Sequence, residues 1–75
     1  MRIVVIEDDA VVSETIALYL QQDGFEVVTA RDGVTGLQLA MSGDVSLIVL
    51  DLMIPGLSGM EVCRRLRTSS TVPIL

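Results

Sequence analysis

Ile3-Val4-Val5-Ile6 runs directly into Glu7-Asp8-Asp9, and Leu47-Ile48-Val49-Leu50 runs directly into Asp51. An apolar run of four residues without alternation reads as a strand buried on both faces. If the two strands are parallel neighbours, their carboxyl ends share one sheet edge, and four carboxylates converge there. Like charges that close repel and raise one another's pKa. A hard divalent cation with oxygen ligands resolves the conflict, and Mg2+ is the simplest choice. Asp8 and Asp51 are the direct ligand candidates, Glu7 reaches through a water, and the backbone carbonyl of Met53 offers another oxygen. A carboxylate is also a nucleophile towards phosphorus. The metal then shields Asp51 from an incoming phosphate, because phosphoryl transfer rests on positioning and charge neutralisation.

Plainer readings stand beside these. Asp8 and Asp9 can simply start a helix, since acids favour helix N-termini. Asp51 can be a turn residue after a strand. Asp32-Gly33 reads as a cap and turn, and Pro55-Gly56 as a turn that shapes its loop. Met41, Met53 and Met60 read as packing or loop residues. Cys63 reads as a small buried hydrophobe, Tyr19 as a helix residue with its hydroxyl near water, and Arg64, Arg65 and Arg67 as a solvated helix face.

The elements that position the acids alternate. Strands are expected at residues 2–6, 25–30 and 46–50, with a fourth beginning at Val72 or Pro73. Helices are expected at 11–22, 34–41 and 58–68. In the first helix Val12, Ile16, Tyr19 and Leu20 form the apolar spacing, and Asp23-Gly24 stops it. The order β-α-β-α-β-α-β argues for an α/β fold with a parallel sheet and helices on its faces. Ligands of such sheets bind beyond the carboxyl ends of the strands, where the strand order reverses. With the order 2-1-3-4, that point falls between the two strands that end in acid.

The chain has 75 residues, room for at most one domain. Hydrophobic residues make up 51% and the mean hydropathy is +0.64, which is apolar for a domain with so much surface relative to its core. Thr71-Val72-Pro73-Ile74-Leu75 stops inside a new apolar strand. A truncated chain is therefore expected, one partial domain over residues 1–75. The net charge is −5, and the five arginines form no stripe, so no footprint for nucleic acid is present in this segment. One cysteine cannot form an internal disulfide and fits a reducing compartment. No run approaches membrane-spanning length and no signal peptide is visible, so a cytoplasmic location is expected.

The same pieces resemble the receiver domain of two-component response regulators. The matching segments are Ile3 to Asp9, Ala30-Arg31-Asp32-Gly33, Leu47 to Gly59 and Val72-Pro73-Ile74-Leu75, in order and at matching spacing. The resemblance implies a flavodoxin-like fold of order 2-1-3-4-5. It implies that Asp51 accepts a phosphoryl group from a histidine kinase, with Mg2+ held by Asp8, Asp51 and the Met53 carbonyl and with Glu7 acting through water. It is similar in style to regulators of transcription whose receiver precedes a DNA-binding domain. Receivers also use a Ser or Thr after strand four and a Lys after strand five. Here strand five and the last two helices are absent, and the chain has no lysine. Impaired phosphotransfer and switching are expected. A metal-dependent phosphatase is the rival enzyme reading, weakened because Met53 stands where such enzymes place a second aspartate as general acid. A third reading is a structural fragment that self-associates or exchanges elements through its bare sheet edge and core surface.

Overall fold

The structure, a computed structural model, describes residues 1–75. Strand β1 (Arg2–Ile6) leads to helix α1 (Ala10–Gln22), β2 (Glu26–Ala30), α2 (Gly33–Ala40), β3 (Val45–Leu50) and α3 (Gly59–Arg67). The sheet is parallel, in the order β2-β1-β3. β1 lies at its centre because it is the most uniformly apolar strand: Ile3, Val4, Val5 and Ile6 are all buried. No helix is long and apolar enough to cross a membrane.

The expected fourth strand is present only as a bridge. Ile74 pairs in parallel with Ile48, supported by Ile48 N–H to Pro73 O (2.9 Å), Leu75 N–H to Ile48 O (2.8 Å) and Leu50 N–H to Leu75 O (3.0 Å). Pro73 has no N–H to donate, so the ladder cannot develop on its N-terminal side. The segment nonetheless lies beside β3, which extends the order to 2-1-3-4 as expected.

Successive strand residues face opposite sides. On one face Val4, Ile6, Ala30 and Ile48 pack with Ala40 of α2, Val62 and Leu66 of α3, and Ile54 of the loop after β3. Gly36 allows α2 to ride directly on β1, because a Cβ there would lie 2.7 Å from the Ile6 side chain. The other face buries Ile3 and Val5 under α1 alone. Leu47 and Val49 pair with Ile3 and Val5 and so share that face, where they are only half-buried.

Each helix begins at a side chain that accepts from its first free N–H groups. Asp9 accepts from Val11 and Val12, Asp32 from Thr35 and Ser58 from Glu61. In α3 the acid precedes the bases, as the helix dipole favours, and Glu61 pairs with both Arg64 and Arg65. Arg67 donates to the Ser70 carbonyl.

The apolar stripe of α1 differs from the expected one. Ser13 is buried, whereas Val12 and Tyr19 are exposed. The helix carries apolar residues on several sides, and its small serine permits the close approach to the sheet. Cys63 is half-buried rather than enclosed, and Met60 is exposed, because α3 turns only Val62 and Leu66 fully into the core.

Candidate functional site

Three backbone segments are brought level at the carboxyl end of the sheet. Glu7 N–H donates to Ala30 O (3.0 Å), and Asp51 N–H donates to Ile6 O (3.0 Å). The parallel ladder thus continues one residue past each strand and delivers the acids that follow. Glu7, Asp8 and Asp51 each offer a carboxylate oxygen within 4.8 Å of the others. Glu7 and Asp51 are half-buried and Asp8 is exposed. The expectation that residues from separate strands meet at one rim holds.

The fourth expected carboxylate does not join them. Asp9 Oδ1 accepts from Val11 N–H (2.9 Å) and Val12 N–H (3.1 Å). Its helix-starting role wins because those two donors otherwise have no partner. Glu7 therefore stands in the cluster with Asp8 and Asp51, and Asp9 acts on it only through its charge.

The loop after β3 is shaped from both ends. Asp51 Oδ1 accepts from Met53 N–H at 3.0 Å, a local side-chain turn that aims the carboxylate. Gly59 N–H closes the loop on Leu52 O at 3.4 Å. Gly56 adopts φ +75°, a left-handed conformation that glycine reaches without penalty. Gly33 N–H donates to Pro55 O (3.2 Å), and a Cβ on Gly33 would fall 1.8 Å from Leu57 O. Asp32-Gly33 therefore does more than cap α2: it seats the Asp51 loop against α2. Sequence reasoning assigned it no such part, since nothing local signals a contact across more than twenty residues. The Met53 side chain is 85% exposed, with its backbone beside Asp51.

The electrostatics follow from the crowding. The Glu7 carboxyl is pushed up to about 7, first by its hydrogen bond to Asp51, then by burial and by the charges of Asp51, Asp8 and Asp9. Asp51 is held below its usual value, chiefly by the Met53 N–H and then by the Glu7 hydrogen bond. Below about pH 7 the pair therefore keeps one proton, which Glu7 carries. Three hard oxygen donors at this separation, one of them driven to keep a proton, suit a small divalent cation that would replace that proton.

One basic group reaches this rim. Arg31 Nη2 donates to the main-chain carbonyl of Asp8 at 3.3 Å. In the sequence it belongs to the matching segment Ala30-Arg31-Asp32-Gly33 but carries no assigned part; its position, the first residue beyond β2, is what brings it to the rim.

Fold and rim together define a parallel α/β domain with an acidic cluster at the carboxyl edge of its sheet, and comparison with known proteins places it in a family. The family model described as "Response regulator receiver domain" matches residues 3–75, and the chain belongs to that family. The transcriptional regulatory protein CseB of Streptomyces avermitilis is 41% identical over 74 residues, covering 99% of this chain and 32% of the relative. The chain thus spans about a third of the length of the curated relatives it matches, which are regulators of transcription rather than turnover enzymes. Among solved structures, the BeF3-activated N-terminal receiver domain of Klebsiella pneumoniae RstA superposes with a TM-score of 0.92 at 36% identity, covering 99% of this chain and 63% of that one. The response regulator TrrA of Thermotoga maritima, in complex with Mg2+-BeF, gives 0.89 at 35% identity, covering 97% and 64%. TrrA is also solved in complex with the histidine kinase ThkA, with a TM-score of 0.88 at 35% identity over the same shares.

Proposed function

We propose that Asp51 is the phosphoacceptor of a two-component receiver, with Mg2+ held by Asp8, Asp51 and the Met53 carbonyl and with Glu7 contributing through a water. The observation that carries this reading is the meeting of three carboxyls within 4.8 Å, Asp51 among them at the end of β3. The bound cation would supply positive charge against the phosphoryl oxygens. Asp51 keeps one carboxylate oxygen on Met53 N–H and presents the other. That oxygen forms the O–P bond as the P–N bond of a phosphohistidine breaks, and the departing imidazole takes the electron pair and a proton from solvent. The phosphodonor is a histidine kinase, as the TrrA complex with ThkA suggests by analogy. A kinase donor and a single free cysteine both fit a cytoplasmic site of action.

The 75 residues contain no lysine, so no ammonium is available to neutralise a bound phosphoryl group. Phosphotransfer to these residues alone is therefore slow. Incubation with acetyl phosphate and Mg2+, followed by intact mass and peptide mapping, tests both statements. Slow gain of one phosphoryl mass on Asp51 is the expected result. Modification that survives Asp51→Asn refutes the phosphoacceptor assignment, and rapid stoichiometric modification refutes the impairment.

A second reading concerns association. Leu47 and Val49 are half-buried, and Leu18 and Tyr19 are exposed on the same helical layer. Homo-oligomers through these surfaces are expected at high concentration. A light-scattering mass that stays monomeric in that range counts against them.

A further inference from the structure

We propose that Arg31 is a positioning residue for the acidic rim: by pinning the main-chain carbonyl of Asp8 it holds the Asp8 carboxylate where it can serve as a metal ligand. The inference rests on the Mg2+ reading above.

Three residues, Glu7 to Asp9, join β1 to α1. Two of them are tied down independently. Glu7 N–H is bonded to Ala30 O, and Asp9 is fixed by the cap it forms on Val11 and Val12. Asp8 lies between them, with an exposed side chain. The Arg31 guanidinium supplies the bond to its backbone, from Nη2 to Asp8 O at 3.3 Å. Arg31 can do this because it directly follows Ala30, the residue paired with Ile6 across the β1–β2 ladder. It approaches the loop from the side opposite to Asp51, so it restrains Asp8 without occupying the cluster.

No other basic side chain can take its place. Arg2 stands at the opposite end of β1, paired with Glu26. Arg64 and Arg65 are engaged by Glu61, and Arg67 by the Ser70 carbonyl. These three lie in the last turn of α3. That helix starts beside Asp51 at Gly59 and rises about 1.5 Å per residue away from it.

Charge and tether make opposite demands, which makes the role testable. A guanidinium near a dication repels it, so its removal by itself tightens Mg2+ binding. Loss of the tether lets Asp8 wander and weakens binding. Mg2+ alone is titrated into the full chain by NMR or calorimetry, and amide exchange of residues 8–10 is measured without metal. For Arg31→Ala we expect Mg2+ affinity to fall roughly threefold to tenfold, the worth of one modest hydrogen bond, together with faster exchange. Arg31→Lys, which keeps a charged donor on a more flexible stem, recovers most of the loss. Arg31→Ala binding as tightly as wild type or tighter overturns the proposal and leaves the metal site standing. Absence of Mg2+ binding by the wild type, with exchange still faster in Arg31→Ala, instead sinks the metal reading and keeps the tether.

Discussion

Gly59 couples the packing of α3 to the placement of Asp51, and a single methyl group tests the coupling. A Cβ at Gly59 would lie 2.5 Å from Leu52 Cα and 2.7 Å from Asp51 O. Carbon contacts settle near 3.5–4.0 Å, so α3 or the Asp51–Leu52 backbone must move by about 1 Å. Both obstructing atoms are backbone, so no rotamer change relieves the clash. Such overpacking costs about 1–3 kcal/mol. Alanine returns less than about 1 kcal/mol through helix propensity, the full difference applying only in a helix interior. The clash therefore wins. Gly59 is the first residue of α3, so the return there is small and a net cost of about 1–2.5 kcal/mol remains; at about 4–8 °C per kcal/mol for a domain of this size, Gly59→Ala should lower Tm by about 4–20 °C. It should also weaken Mg2+ binding, because the displaced backbone carries the Asp51 carboxylate. Gly24→Ala is the control. Gly24 has φ +91° with open space around it, so alanine there costs about 1–2 kcal/mol of backbone strain far from the acids. It should lower Tm and leave Mg2+ affinity unchanged. Thermal melts followed by circular dichroism, with Mg2+ titrations of each variant, make the comparison. A Gly59→Ala protein that melts with wild type, or melts low while binding Mg2+ as tightly, refutes the coupling.

Other expectations follow from the same geometry. In metal-free buffer the Glu7 contribution to stability is fully present below pH 4.5 and lost as pH rises through about 7, because the folded state keeps a proton that the unfolded chain releases. Urea midpoints measured from pH 5 to 8 should fall without metal and stay level with saturating Mg2+; a flat metal-free profile contradicts the crowding. Asp9→Ala should destabilise by about 1 kcal/mol through loss of the α1 cap, and Asp9→Ser should restore most of it in the same urea titration; equal losses in both variants would deny the capping role. Leu66 is fully buried where α3 meets the sheet, so Leu66→Ala should cost about 2–5 kcal/mol and leave the chain largely unfolded by circular dichroism at room temperature. A cooperative melt near that of wild type would show that α3 contributes little to the core.

Much of this arrangement was legible in the residues. β1 runs from Arg2 to Ile6 as its apolar run demands, and β3 stops where Asp51 begins. Acids directly after two buried runs are a strong signal, because parallel strands must release their next residues at one edge. Small boundary shifts have local causes. Phe25 N–H bonds to Leu20 O and so belongs to the end of α1 rather than to β2. Asp32 caps α2 as expected, and Gly33, expected in the turn, is instead the first residue of the helix. What stayed hidden depends on contacts far apart in the chain. Asp9 is chemically identical to Asp8, and only the approach of α1 decides which one turns away. The buried side of α1 was ambiguous because valine, leucine and tyrosine surround a small serine that fits the sheet better. Arg31 and Gly33 act on loops about twenty residues distant, and no periodicity announces that.

Three carboxyls crowd one rim of the sheet, and in the proposed function a dication relieves that crowding. The most direct measurement is the Mg2+-induced change in melting temperature of the wild type beside Asp51→Asn. Binding to the folded state alone must stabilise it. The wild type should melt higher as Mg2+ is added. Asp51→Asn, with one charge fewer beside Glu7, should melt slightly higher in metal-free buffer and gain little from the ion. A wild type indifferent to Mg2+, or an Asn variant that responds as strongly, would contradict the account.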